Sequence, residues 1–197
     1  MQMAPPCRVN PAPEPNPKWR NPEQIKQFTA EFEANGFTPL GAFTIPEMIG
    51  MQMAAFVHES ESLYGVIYDH MNLPPNIDVV CRFADGTDLT VTNTNYASAM
   101  ERPPGSPAIR LDGGGVSEVM QALQGYQAPA AREPVKGDEF AARFKESYAK
   151  DMNWRMKRGG PTREEIRAQV EKSGKTLTDE KFKELCQSQR QSYMAEL

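Results

Sequence analysis

Phe83-Ala84-Asp85-Gly86-Thr87 constrains this chain more than any other five residues. Before it, Ile77, Val79, Cys81 and Phe83 alternate with Asp78, Val80, Arg82 and Ala84; after it, Leu89 and Val91 alternate with Asp88, Thr90 and Thr92. A period of two marks a strand, because successive side chains point to opposite faces. An Asp-Gly pair commonly closes a two-residue hairpin. Here that register would set Asp88 beside Phe83 and Leu89 beside Arg82, mixing the faces. A three-residue loop, Ala84-Asp85-Gly86 with Gly86 left-handed in a G1 bulge, pairs Phe83 with Thr87 instead. Cys81 then faces Leu89, Val79 faces Val91 and Arg82 faces Asp88. A one-residue slip turns every side chain over, so the face-consistent register is predicted.

The same pattern extends upstream. Residues 51–57 and 63–69 flank the polar loop Glu59-Ser60-Glu61-Ser62. Pairing His58 with Leu63 brings Val57 opposite Tyr64, Ala55 opposite Val66 and Phe56 opposite Gly65. Both faces of these strands carry apolar residues, which calls for cover on both sides. Residues 37–45 add a strand whose Pro39, with Pro46 beyond its end, suits a sheet edge. The expected fold is α+β: an antiparallel meander sheet of four or five strands flanked by helices, with a C-terminal three-helix appendage.

Four segments follow. Residues 1–21 hold Pro5, Pro6, Pro11, Pro13, Pro15 and Pro17 and read as an extended, polyproline-like arm. Residues 22–127 form the sheet domain. Its first helix opens at Asn21-Pro22, carries Ile25, Phe28 and Phe32 on one stripe, and closes at Asn35-Gly36. A loop with Arg102-Pro103-Pro104-Gly105-Ser106-Pro107 precedes a short helix over residues 116–123, ended by Gly125. Residues 128–136 read as a linker and 137–197 as the helical appendage, packed on the sheet domain or on a partner. Phe140, Phe144, Tyr148 and Met152 step four residues at a time along its first helix, stopped by Gly159-Gly160-Pro161. Thr162 and Glu165 make a capping box for the second, with Ile166 and Val170 inward and Ser173-Gly174 at its end. The third starts at Thr178, with Phe182, Leu185, Gln189 and Tyr193 on one face.

Charge is uneven along the chain. Residues 1–134 carry 8 basic against 15 acidic side chains, and residues 135–197 carry 14 against 11. An acidic body argues against nucleic acid as its partner. The first residues, Met1 to Cys7, lack a basic start followed by an apolar run, so no secretory signal is expected. No stretch approaches the roughly 20 apolar residues of a membrane span. Cys7, Cys81 and Cys186 are too few and scattered for a disulfide framework or a zinc site, and a reducing cytoplasm is the expected compartment.

Candidate chemistry is thin. Gly113-Gly114-Gly115 before a helix has the look of a phosphate cradle but lacks the Lys-Ser/Thr of a P-loop and the dinucleotide spacing. His58, Glu59, Glu61, Asp69 and His70 suggest a metal or acid–base cluster, yet the paired register puts the two histidines at opposite strand ends. Cys81 lies mid-strand, where a thiol is usually a small hydrophobe. No Gly-x-Ser-x-Gly elbow occurs. Trp154-Arg155-Met156-Lys157-Arg158 interleaves aromatic and basic groups, and packing against the domain is favoured over base stacking. The reading therefore assigns no catalytic, cofactor-binding or metal residues.

Gly36-Phe37-Thr38-Pro39-Leu40-Gly41, the Asp85-Gly86-Thr87 turn leading to Leu89-Thr90-Val91-Thr92-Asn93, Arg102-Pro103-Pro104-Gly105, and Trp154-Arg155 with Arg158-Gly159-Gly160-Pro161-Thr162 together resemble a set of uncharacterised small bacterial α+β proteins. The resemblance implies only that sheet and helical tail travel together as one module. The leading expectation is a non-enzymatic interaction or accessory protein that docks another protein chain through the arm or the tail. Trp19, Lys18, Arg20 and Trp154 are the expected contacts, the arm standing apart from the core, and a homo-oligomer is compatible with this. The alternative is a small-ligand or enzymatic module with a pocket between sheet and helices, with Tyr64, Tyr68 and Arg82 as polar handles.

Overall fold

The computed structural model describes residues 5–71, 73–94, 101–172 and 176–194. Ser173-Gly174 and the side chain of Tyr193, both assigned above, lie outside what is described. The strands are β1 (Ala12–Pro13), β2 (Thr38–Thr44), β3 (Met51–His58), β4 (Leu63–His70), β5 (Leu73–Arg82), β6 (Asp88–Thr92) and β7 (Ala108–Arg110). They form one sheet in the order of the chain. Every neighbouring pair is antiparallel except β6–β7, which is parallel. The helices are α1 (Pro22–Ala34), α2 (Val116–Gln124), α3 (Phe140–Lys157), α4 (Arg163–Lys172) and α5 (Asp179–Met194).

The sheet has seven strands where four or five were expected. The additional edges are β1, two residues from the proline-rich arm, and β7, three residues beyond the Pro-Pro-Gly loop. Segments that short carry no measurable alternation, so periodicity misses them. β2 is consequently flanked on both sides at its C-terminal end, where Ala12 pairs with Thr44 and Pro13 with Phe43. Pro39 lies beyond the reach of β1, where β2 is still an edge and a missing N–H costs nothing. β5 also begins earlier than the alternation suggests, at Leu73.

The central hairpins have the predicted registers. Phe83 N–H donates to Thr87 O at 2.9 Å and Gly86 N–H to Phe83 O at 2.9 Å, with Gly86 at φ +82°. Cys81 faces Leu89, Val79 faces Val91, and Arg82 faces Asp88. Val57 faces Tyr64, Ala55 faces Val66, and Phe56 faces Gly65.

One face of the sheet bears Phe56, Leu63, Ile67, Ile77, Val79, Leu89 and Val91, all 1% exposed or less. α1 and α2 cover it with Ile25, Phe28 and Phe32 from α1 and Val116, Val119 and Leu123 from α2. Each such side chain contributes on the order of 2 kcal/mol by leaving water. Phe32 stacks on Phe56 with ring centres 4.6 Å apart and lies directly over Gly65, where a Cβ would collide with its ring. Gly65 thus brings α1 down onto the middle of the sheet. Asn21 precedes the helix without a side-chain cap bond; its amide donates to Asp69 at 3.1 Å, and Pro22 begins the helix.

The opposite face changes character across the sheet. Phe43, Met53, Ala55, Val57, Tyr64 and Val66 make its apolar half, closed by Phe140 of α3. Asp78, Val80 and Arg82 of β5 and Asp88, Thr90 and Thr92 of β6 continue it as a polar half. α3 runs over both halves. The arm ties α3 down: Val9 is 1% exposed in the same cluster, Cys7 packs with Met152 and Met156, and Tyr148 donates its hydroxyl to Pro6 O at 2.6 Å. The expectation that the arm stands apart from the core is corrected here, because apolar Cys7 and Val9 punctuate the prolines and are worth burying.

The segment read as a linker also joins the sheet. Phe83 and Arg132 form a bridge, and Glu133 N–H donates to Arg82 O at 2.9 Å. Beyond α3, the capping box closes α4 as predicted: Thr162 N–H donates to Glu165 Oε2 at 2.6 Å and Glu165 N–H to Thr162 Oγ1 at 3.2 Å. Ile166, Phe182 and Cys186 form a small separate core between α4 and α5.

Candidate functional site

A cavity of about 210 Å³ lies between the sheet and α3. Three strands supply its floor: Tyr64, Val66 and Tyr68 from β4, Asp78, Val80 and Arg82 from β5, and Asp88 and Thr90 from β6. These residues share a face because they sit at every second position of strands in register, with Val66 opposite Asp78 and Val80 opposite Thr90. The roof is one stripe of α3, from Phe140 and Phe144 through Ser147 and Tyr148 to Asp151. Phe140 is 3% exposed and Met152 is fully buried, but Phe144 and Tyr148 between them are only half-buried. Both line the cavity.

One end of the cavity is built by the Pro-Pro-Gly turn. Ser106 N–H donates to Pro103 O at 3.0 Å and Gly105 sits at φ +83°, as a turn with Pro104 and Gly105 at its centre requires. The turn lays Arg102 and Ser106 against β6. Asp88 accepts from Ser106 Oγ at 2.8 Å and Lys150 Nζ at 3.0 Å, with an Arg102 nitrogen at 3.6 Å. Arg102 also donates to Thr90 Oγ1 at 3.2 Å and stands 3.5 Å from Asp151. Burial pushes the Asp151 carboxyl up, against the pull of Arg102 and Arg155. Burial likewise raises the Asp78 carboxyl, opposed by the Thr92 hydroxyl, Arg102, Tyr68 and Arg110. Tyr68 beside it is raised well above its usual range, by burial first and by Asp78 second.

The other end is a lattice of ion pairs. Arg82 donates to Glu146 Oε2 at 2.8 Å and to Ser147 Oγ at 2.9 Å. Arg143 pairs with Glu133 and with Glu139, each at 3.5 Å. A more polar hollow of about 390 Å³ lies outside this lattice and shares Arg82, Asp88, Glu133 and Arg143 with the inner cavity. Tyr64, Tyr68 and Arg82, the handles expected from sequence, all line the inner cavity. All three are engaged, Tyr64 donating to Lys136 O at 2.7 Å, Arg82 to the α3 lattice, and Tyr68 hydrogen-bonded to Asp78.

Asp78, Asp88, Thr90, Arg102 and Asp151 were not singled out from sequence. For Asp78, Asp88 and Thr90 the signal was present as the polar half of the β5–β6 alternation, which reads as a solvent face until α3 is placed over it.

The remaining candidates fall elsewhere. His58 and His70 sit at opposite ends of the β3–β4 pair, as the register implies. Among the described residues no group of three or more His, Cys, Asp or Glu is arranged to hold a metal ion. At the triglycine, Val116 N–H donates to Glu31 Oε2 at 2.9 Å and Gly115 N–H to Glu118 Oε2 at 3.0 Å, so carboxylates already occupy the α2 N-terminus. Burial raises the Cys81 thiol, consistent with a packed hydrophobe.

Trp19 packs partly buried against the α1–α2 core, while Lys18 and Arg20 are exposed. Arg20 donates from its backbone to the buried Asp69 at 2.6 Å and from its guanidinium to Met71 O at 2.8 Å. Trp154 lies far along the chain on α3, with the Arg158 guanidinium 4.2 Å above its ring. Arg158 itself is clamped by both oxygens of Glu165 at 2.6 Å and by Glu101 at 2.6 Å.

No helix among the described residues is long and apolar enough to cross a membrane. Compared with known proteins, the chain matches no family model, no curated protein and no solved structure.

Proposed function

We propose that this protein binds a small molecule in the cavity between the sheet and α3. The observation that carries this reading is the half-exposed aromatic stripe of α3, Phe144 and Tyr148, facing a floor that holds Tyr68 and Asp78. A roof helix serving only to close the core would seat its central rings fully, as Phe140 is seated. An apolar chamber with a few convergent polar groups is the form ligand sites take. The test is a fragment screen by ligand-observed NMR on the wild-type chain and on Val80→Phe, which fills the floor. Hits lost in Val80→Phe at unchanged melting temperature support the reading. A silent screen, or hits indifferent to Val80→Phe, sinks it.

A second reading, as an accessory protein docked to another chain, draws on a different surface. Ile49, Met71 and Leu73 are 78%, 43% and 41% exposed at one end of the sheet. Met71 is the residue that Arg20 holds, so the apolar patch adjoins the Lys18–Arg20 segment of the arm. Patches of this kind rimmed by polar groups mark interaction sites. Ile49→Asp with Met71→Ser should abolish co-purification of a specific partner while leaving the fold intact; an unchanged set of co-eluting proteins counts against docking there.

A further inference from the structure

We infer that the ligand of this cavity is a small organic cation, an amine or quaternary ammonium carried on an apolar body. The inference rests on the reading of the cavity as a ligand site and names the chemistry that site selects. Five aromatic rings line it: Tyr64 and Tyr68 below, Phe140, Phe144 and Tyr148 above. The negative face of such rings attracts a cation, the more so where water is excluded.

Carboxyls supply the counter-charge, and of those lining the cavity Asp78 has hydrogen bonds with Tyr68 and Thr92 but no basic side chain in contact among the described residues. Asp88 is held by Ser106, Lys150 and Arg102, Glu133 by Arg143, and Asp151 shares Arg102. Among the described residues no basic side chain stands within 4.0 Å of the Asp78 carboxylate. Arg102 and Arg110 act on it only through space. Asp78 therefore lines the chamber as a carboxyl without an ion-pair partner.

Each ligand class meets these walls differently. An anion would find the lining arginines already paired, Arg82 with Glu146, Arg102 with Asp88 and Asp151, and Arg143 with Glu133 and Glu139, and would face the Asp78 carboxyl. A neutral apolar molecule would desolvate Asp78 and return nothing for it. A cation completes the pair at Asp78 and seats its apolar body against the rings. Size is consistent, since an apolar cavity of about 150 Å³ takes benzene, so this chamber suits roughly eight to ten non-hydrogen atoms.

The experiment is calorimetric titration of the full wild-type chain with charge-matched sets. Phenethylamine is compared with 2-phenylethanol and phenylacetate, and choline with its neutral isostere 3,3-dimethylbutanol. The cation of at least one set should bind about tenfold or more tightly than its neutral counterpart. Phenylacetate should not bind. In Asp78→Asn that preference should vanish. The wild-type comparison stands even if the variant fails to fold. Neutral or anionic members binding as well as the cations, and losing affinity in Val80→Phe, would overturn the cation and leave the cavity reading in place. No binding by any member, together with a silent fragment screen, would overturn both.

Discussion

Gly86 holds the turn that sets the register of the central hairpin. Its φ of +82° is a left-handed conformation, and a Cβ there would meet no neighbouring atom within 4 Å. The cost of Gly86→Ala is therefore backbone strain alone, about 1 kcal/mol. Gly86→Asn, which tolerates positive φ better, should cost less; equal denaturation midpoints for all three proteins would mean the turn does not need glycine. Asp78 makes a prediction of opposite sign. Its carboxyl is raised in the folded state by burial, so folding favours the protonated form. The stability tied to that form is complete below the unfolded aspartate pKa, about 3.9, and is lost as pH rises through the folded value. Asp78→Asn should thus melt higher than wild type at neutral pH, with the gap closing below about pH 4. A variant less stable at neutral pH would show that Asp78 is held by its neighbours and not merely tolerated.

At the scale of elements, α4 is fastened through one carboxylate. Glu165 is 4% exposed, caps its own helix, and binds Arg158 through both oxygens. Burial alone would raise its carboxyl, but the hydrogen bonds from Arg158 and from the Thr162 and Glu101 N–H groups outweigh it and hold the group below its usual range. Its contribution is present above the unfolded glutamate pKa, about 4.3, and disappears as pH falls through the folded value. Glu165→Gln should therefore destabilise the α4–α5 end by on the order of 2 kcal/mol at neutral pH. Hydrogen exchange should show faster amides in α4 with the sheet unchanged, and wild type and variant should converge at low pH. Uniform acceleration across the chain would mean that this end unfolds only with the rest.

The whole molecule is a sheet closed on both faces, one face by α1 and α2 and the other by α3 with the arm across it. Deleting residues 1–20 removes β1, the buried Val9 and the Cys7–Met152–Met156 contacts. Two buried apolar side chains are worth on the order of 3 kcal/mol together, so the melting temperature should fall by several degrees. The Asn10 side chain, which accepts from Lys145 at 2.8 Å and donates to Glu47 at 2.6 Å, is lost with them. An unchanged melting temperature would return the arm to the role of a free docking element.

The sequence by itself determined what depends on near neighbours. The bulged turn at Gly86, the β3–β4 register, the Thr162–Glu165 cap and the α1 stripe all follow from residues a few positions apart, where strand or helix geometry fixes who meets whom. Its alternative reading also named Tyr64, Tyr68 and Arg82 as handles of a pocket between sheet and helices, and all three line the cavity. Only the tertiary structure decided what covers the polar side of β5 and β6. Asp78, Thr90 and Thr92 alternate as a solvent-facing row would, and nothing local distinguishes water from a helix arriving some sixty residues later, as Asp151 does over Asp88. The arm is the same case: prolines promise an extended chain, but whether that chain lies on the core or leaves it turns on Val9 and Cys7 finding α3 and the β2–β3 edge. Long-range contacts of this kind are set by the packing of finished elements, and periodicity carries no record of them.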